Sequence, residues 1–199
     1  MGQPAPRAVT PDLAPGEQRF TLHGITWEQY ETLRAATDHI PGLRMTYLEG
    51  VLELMSPSRD HEWVKKSLAR LLEIYALERG LPLNGYGGTT FRKRAKERGL
   101  EPDECYSLGP MREVPDIAIE VVFTHGTIDK LEVYRGLDVP EVWFCEDGQL
   151  SIWQLGPDGY RAAARSRFLP DLDLPQLLAF VRPDDQTGAV RAYRDALRA

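Results

Sequence analysis

Val114-Pro115-Asp116-Ile117-Ala118-Ile119-Glu120-Val121-Val122-Phe123 is the stretch that decides the fold. Its apolar, β-branched run reads as a buried strand. Two carboxylates interrupt it, and a buried charge is costly unless it is paired or holds a cation. Alternation places Asp116, Ala118, Glu120 and Val122 on one face and Ile117, Ile119, Val121 and Phe123 on the other. The acids therefore share one side of a core strand.

Outward from that strand the chain alternates between strand and helix signals. Upstream, Thr26 followed by Gln29 marks a capping box opening a short helix that ends before Pro41. Leu43 to Tyr47 and Val51 to Met55, joined at Glu49-Gly50, read as a hairpin. From Ser58 to Arg79, His61, Val64, Leu68, Leu71, Leu72 and Tyr75 form one helical stripe, with Gly80 as a C-terminal stop. His61 opens that stripe at the electropositive end of the helix. The glycines of 84–88 lack a following P-loop lysine, which excludes a nucleotide cradle of that kind. The run Arg92 to Arg98 is strongly basic, and Leu100 to Leu108, carrying Asp103, reads as a further strand.

Downstream, Thr127 is the expected N-cap of a helix over 128–136 that carries Lys130. Asp147-Gly148 then signals a hairpin between 141–146 and 149–155, in which Trp143 and Trp153 are expected to pack across the strands. A third strand at 160–164 and helices at 174–181 and 188–197 complete an α/β pattern with a central mixed sheet flanked by helices. Residues 1 to 18, rich in Pro, Ala and Gly, read as a disordered tail ahead of a single domain over 19–199.

Composition sets bounds. No apolar run approaches the roughly 20 residues of a membrane span, and the N-terminus has no secretory apolar region. Two cysteines give no disulfide framework, so a reducing cytoplasm is the expected setting. A net charge of −6 argues against a surface coated by nucleic acid, while leaving room for a local basic patch.

Asp103 and Glu120 lie on neighbouring strands. Two converging carboxylates make an oxygen-rich pocket suited to Mg²⁺, or Mn²⁺. Such a metal activates water and neutralises charge on a phosphoryl group under attack. A nearby lysine would orient that water or stabilise the added charge.

These residues carry a family resemblance. The blocks are Tyr47-Leu48-Glu49-Gly50-Val51-Leu52-Glu53-Leu54-Met55-Ser56-Pro57 with His61-Glu62, then Glu101-Pro102-Asp103-Glu104-Cys105-Tyr106. Pro115-Asp116-Ile117-Ala118-Ile119-Glu120-Val121 and Tyr134-Arg135-Gly136-Leu137-Asp138-Val139-Pro140-Glu141-Val142-Trp143 follow. In this order they resemble the Uma-type restriction endonuclease family of the PD-(D/E)XK nuclease superfamily. The resemblance implies a restriction-endonuclease-like core, Mg²⁺-dependent cleavage of phosphodiester bonds in DNA, and a homodimer. It makes Asp103 and Glu120 the metal-binding acids. It also implies a migrated lysine, Lys130, because Val122 stands where the motif lysine belongs. Asp116, Glu53 and His61 are additional candidates, with Asp116 an alternative first acid. Arg92, Lys93 and Arg94 are candidate phosphate contacts. The plain readings stand beside these: a turn acid at 103, an exposed helix lysine at 130, a core histidine at 61, a solvated basic loop. The rival function is a nuclease-fold module without catalysis, binding nucleic acid or protein.

Overall fold

A computed structural model describes residues 16–87 and 89–199. In chain order the elements are β1 (Gln18–His23), α1 (Trp27–Thr37), β2 (Arg44–Leu48), β3 (Val51–Ser56) and α2 (Arg59–Arg79). Then come β4 (Leu83–Gly85), β5 (Phe91–Lys93), β6 (Arg98–Leu100), β7 (Glu104–Leu108) and β8 (Ile117–Val122). The last group is α3 (Lys130–Leu137), β9 (Glu141–Glu146), β10 (Gln149–Gly156), β11 (Gly159–Ala163), α4 (Leu174–Ala179) and α5 (Gln186–Arg198).

Local signals account for most of these boundaries. Thr26 and Gln29 form the expected reciprocal capping box of α1. Ser58 caps α2, and Gly80 closes it in the left-handed conformation at φ 64°, where only glycine is unstrained. The cap of α3 differs from expectation: Asp129, not Thr127, accepts from the Leu131 amide, so the helix starts two residues later. Thr127 keeps its amide free for another acid, described below.

The strands form two sheets. One is antiparallel, in the order β1-β3-β2-β6-β5; the other is mixed, in the order β11-β10-β9-β8-β7-β4. The α/β class and the helix-flanked mixed sheet stand as read, and the antiparallel sheet is an addition. Two of its strands, β5 and β6, come from the basic run, which folds as a short hairpin rather than a loop. A third, β1, begins at Gln18, so Glu17 and Gln18 belong to the fold; the rest of the expected tail, residues 1 to 15, lies outside the described residues.

Among the described residues only β8 and β9 pair in parallel, with α3 as their crossover. Alternation along β8 sorts its residues as anticipated. Ile117, Ile119 and Val121 join Leu68, Leu71, Leu72 and Tyr75 of α2 in the larger core. Ala118, on the other face, packs with Val133, Tyr134 and Leu137 of α3 and with Leu100 of β6. Helix α3 thus lies between the two sheets. A third cluster seats Trp27 and Tyr30 of α1 on the antiparallel sheet, with Tyr30 stacked on Tyr47 at 4.8 Å.

The tryptophans do not pair. Trp143 lies opposite Ile152, and Trp153 opposite Val142, so the two indoles sit on opposite faces. Trp143 is fully buried in the larger core, and Trp153 is only half-buried on the α3 side. The expectation overlooked that the hairpin register offsets them by one residue. Among the described residues no helix is long and apolar enough to cross a membrane. Both cysteines are buried and unbridged.

Because α2 contributes four of the largest cluster's buried apolar side chains, Leu72→Ala is expected to lower the unfolding free energy by about 2–5 kcal/mol, read from urea titration.

Candidate active site

Asp103 follows Pro102 and immediately precedes β7. The β7–β8 register pairs Glu104 with Ile119, so one step further sets Asp103 opposite Glu120. Asp103 is 1% exposed. Its Oδ2 accepts from the Val121 amide at 2.8 Å, and its Oδ1 lies 2.9 Å from Nε2 of His61. Arg44 Nη1, from the start of β2, stands 3.5 Å from the same Oδ1. Burial alone would raise this carboxyl. The His61 hydrogen bond and the charges of His61, Lys130 and Arg44 outweigh it and hold the group at about 2.

Glu120 is fully buried. Lys130, the first residue of α3, reaches back across ten positions to place Nζ 2.6 Å from Glu120 Oε2. One helical turn later on the same face, the Tyr134 hydroxyl donates to Glu120 Oε1. Burial, reinforced by the nearby Asp103 charge, raises the Glu120 carboxyl despite the opposing pull of Lys130 and Tyr134. The two acids therefore sit in opposite electrostatic situations. Asp103 is firmly ionised, and Glu120 is the more readily protonated of the two.

His61 bridges two carboxylates. Its Nδ1 is 3.0 Å from Oε2 of Glu17, and its Nε2 faces Asp103. The two carboxylates hold the imidazole ring from both sides. Glu17 is held in turn by Arg19, whose Nη2 is 2.9 Å from Oε1, and by the Thr124 hydroxyl. Burial works against the Glu17 charge, but Thr124 and Arg19 outweigh it and keep the carboxyl below its usual value.

Glu53 on β3 completes the cluster from the other sheet. It pairs with Arg19 Nη1 at 2.5 Å and accepts from the Thr127 amide at 3.1 Å. A Cβ at Gly126 would come within 1.9 Å of Glu53 Oε2, so a larger residue there would push the carboxylate away from the loop before α3. Glu53 thereby ties the loop leading to Lys130 to the antiparallel sheet.

The chain thus brings together Asp103, Glu120, Lys130, His61 and Glu53. Asp116 lies elsewhere. It sits at the opposite end of β8, where its Oδ2 accepts from the Leu108 amide and its Oδ1 from Arg112, both at 2.9 Å. That closes the turn between β7 and β8 and keeps Asp116 apart from Asp103 and Glu120. Arg92, Lys93 and Arg94 also lie apart from the acids. They pair with Glu31 at 3.6 Å, Asp138 at 2.6 Å and Glu28 at 2.6 Å. Sequence reasoning missed Glu17, Arg19, Arg44 and Tyr134 as parts of the cluster. Tyr134 alone left a signal, four residues after Lys130 in a helix; the others are brought in by strand pairing that no local pattern announces.

Beside the acids a cleft of about 310 Å³ opens between Arg19 and Glu53 on one side and His125, Lys130, Phe144 and Trp153 on the other. Val122 lines it, at the position where the motif lysine would stand.

A family model, Uma2, described as "Putative restriction endonuclease", matches residues 27–184. The chain belongs to this family. A solved structure described as "a putative nuclease belonging to DUF820", from Anabaena variabilis ATCC 29413, is similar in fold. It is 11% identical, with a TM-score of 0.50, over 69% of this chain and 91% of that one. No curated protein matches the chain.

For this Uma2 member, the donor set can be tested against a metal. Among the described residues no group of three or more His, Cys, Asp or Glu is arranged to hold an ion. Two carboxylates on adjoining strands nevertheless fit Mg²⁺, which takes one or two carboxylates and leaves its remaining positions to water and phosphate. The Lys130 ammonium already occupies a cation's place against Glu120.

Folding tightens the hold of Glu120 on its proton, so the stability it contributes is fully present below pH 4.5, its ordinary value, and is lost as pH rises through the raised native value. Glu120→Gln removes that dependence. In urea unfolding across a pH series, the variant's stability relative to wild type is expected to climb above pH 4.5 and then level off. A difference that stays flat would contradict the raised carboxyl.

Proposed function

We propose that this Uma2 protein is a metal-dependent endonuclease that hydrolyses phosphodiester bonds in DNA. The observation that carries the reading is the contact of Lys130 with Glu120 beside Asp103. It supplies, from α3, the cation that the strand itself lacks at Val122. Family membership supports the reaction class. Metal dependence and the DNA substrate are inferred from the donor set.

Asp103 and Glu120 would hold Mg²⁺ or Mn²⁺. When bound, the ion neutralises charge on the phosphoryl group and favours deprotonation of the attacking water. The rest falls to the chain. Lys130, released from Glu120 Oε2, donates to the attacking water or to the oxygen that gains charge. Tyr134 keeps the Glu120 carboxylate from turning away, and His61, itself fixed by Glu17, does the same for Asp103. Arg92, Lys93 and Arg94 are left an outlying role in steering the DNA backbone, since exposed ion pairs are weak and exchange readily with phosphate. One site per subunit cuts one strand, so a double-strand break would need a homodimer. The buried free cysteines suit a reducing cytoplasm.

On supercoiled plasmid, Glu120→Ala is expected to abolish Mg²⁺-dependent nicking with the far-ultraviolet dichroism unchanged. Lys130→Met should slow nicking by roughly 10²–10³-fold, the usual cost of losing one charge-stabilising donor. Nicking by Glu120→Ala at the wild-type rate would overturn the reading. So would a folded wild type that neither nicks nor binds divalent ions, which is the behaviour of a binding module without catalysis.

A further inference from the structure

We propose that the cleft beside the acid pair is a subsite for one unpaired nucleotide, with Phe144 and Trp153 as its aromatic floor. The inference rests on the nuclease reading and adds the form of the substrate: single-stranded nucleic acid, or a duplex with a base out of its stack at the cut.

The floor is continuous with the acid strand. In the parallel register of β8 and β9, Glu120 lies opposite Phe144 and Val122 opposite Glu146. On β10, Ser151 lies opposite Phe144, and Trp153 opposite Val142 on the same face. The row leading away from Glu120 therefore passes from Phe144 to Ser151, with Trp153 next along β10. Trp153 Nε1 donates to Ser151 Oγ at 3.2 Å, which aligns the indole along its strand. Helix α3 covers the sheet only from Lys130 onward, and its first turn, with Ile128 before it, forms the wall. Both aromatic rings stay half-buried where a fully covered sheet would have enclosed them.

The polar groups of the cleft are sorted in a way that suits a nucleotide. Arg19 and Lys130 line the cleft, and Lys130 links it to Glu120, so a phosphate would lie against these two cations. The cleft carboxylates are already engaged: Glu53 by Arg19 and Thr127, Asp129 by the Leu131 amide at 2.9 Å, and Glu146 by His125 at 2.6 Å. With those groups engaged, Phe144, Trp153, Ile128 and Leu131 give the cleft its aromatic and apolar surface. A volume of about 310 Å³ is at the small end for ligand clefts. It takes one base and its sugar, not a stacked base pair. A scissile phosphate held at Asp103 and Glu120 carries its own base to Phe144 and Trp153, and that base fits only when unpaired. Stacking on such platforms is worth about 1–3 kcal/mol per base and is tolerant of sequence.

The test is fluorescence anisotropy with the full chain and labelled oligonucleotides, in Ca²⁺ rather than Mg²⁺, comparing single-stranded DNA, single-stranded RNA and the matching DNA duplex. Wild type is expected to bind a single strand more tightly than the duplex. Trp153→Ala should weaken single-strand binding by roughly 5- to 140-fold, the stacking range converted at tenfold per 1.4 kcal/mol. Duplex binding should be unchanged. Trp153→Phe should retain most of the affinity, which separates stacking from misfolding. Trp63→Ala, on the exposed side of α2, should change neither. Tighter binding of DNA or of RNA among the single strands identifies the sugar, and either supports the subsite. Equal losses on single strand and duplex, or no loss on either, would overturn the subsite while plasmid nicking leaves the nuclease reading standing. A wild type that binds none of the three would overturn both.

Discussion

Asp103 and Glu120 face one another where β7 begins and β8 ends, both out of water. Two buried carboxylates that close repel each other, and removing them from water costs several kcal/mol per ion unless opposite charge is brought to them. The surrounding architecture answers that demand. Helices α2 and α3 both begin at the acids, and each delivers a partner from its first turn, the His61 imidazole to Asp103 and the Lys130 ammonium to Glu120. The partial positive charge of a helix N-terminus acts in the same direction. Arg44 reaches in from the antiparallel sheet. The protein thus holds its acids with its own cations, and the proposed divalent ion would have to displace them.

That arrangement explains why two sheets are needed. The mixed sheet supplies the acids, and the antiparallel sheet supplies the residues that hold the cations in place. Glu53 grips the backbone at Thr127 just ahead of Lys130, and Gly126 is the residue that permits the grip. Glu17, at the start of the first strand, orients His61 from the side away from Asp103. Catalytic geometry of this kind is set by the groups behind the reacting ones as much as by the reacting ones themselves.

Much of this was legible in the sequence because it is local. The capping box at Thr26, the stop at Gly80 and the alternation along β8 are each encoded within a few residues, and each formed as read. Lys130 comes from the family resemblance rather than from any local pattern: Val122 stands in the motif lysine's place, and the resemblance implies a lysine from the helix that follows. What stayed hidden depends on register or on distant pairing. Asp116 and Glu120 share a face, yet a strand rises about 3.3 Å per residue, so four positions carry them to opposite ends of it. Trp143 and Trp153 looked like a cross-strand pair, and a one-residue offset turned one into the core and the other into the cleft. The basic residues 92–94 showed a charge run, and only the fold reveals that each already faces an acid.

The central claim is that this acid pair is a divalent-ion site now balanced by lysine. Anomalous diffraction from crystals soaked in Mn²⁺ tests it directly. The expected result is a single strong peak between the carboxylates of Asp103 and Glu120, with the Lys130 ammonium moved off Glu120 Oε2. A difference map without a peak there, with Lys130 still on Glu120 at saturating Mn²⁺, would contradict it.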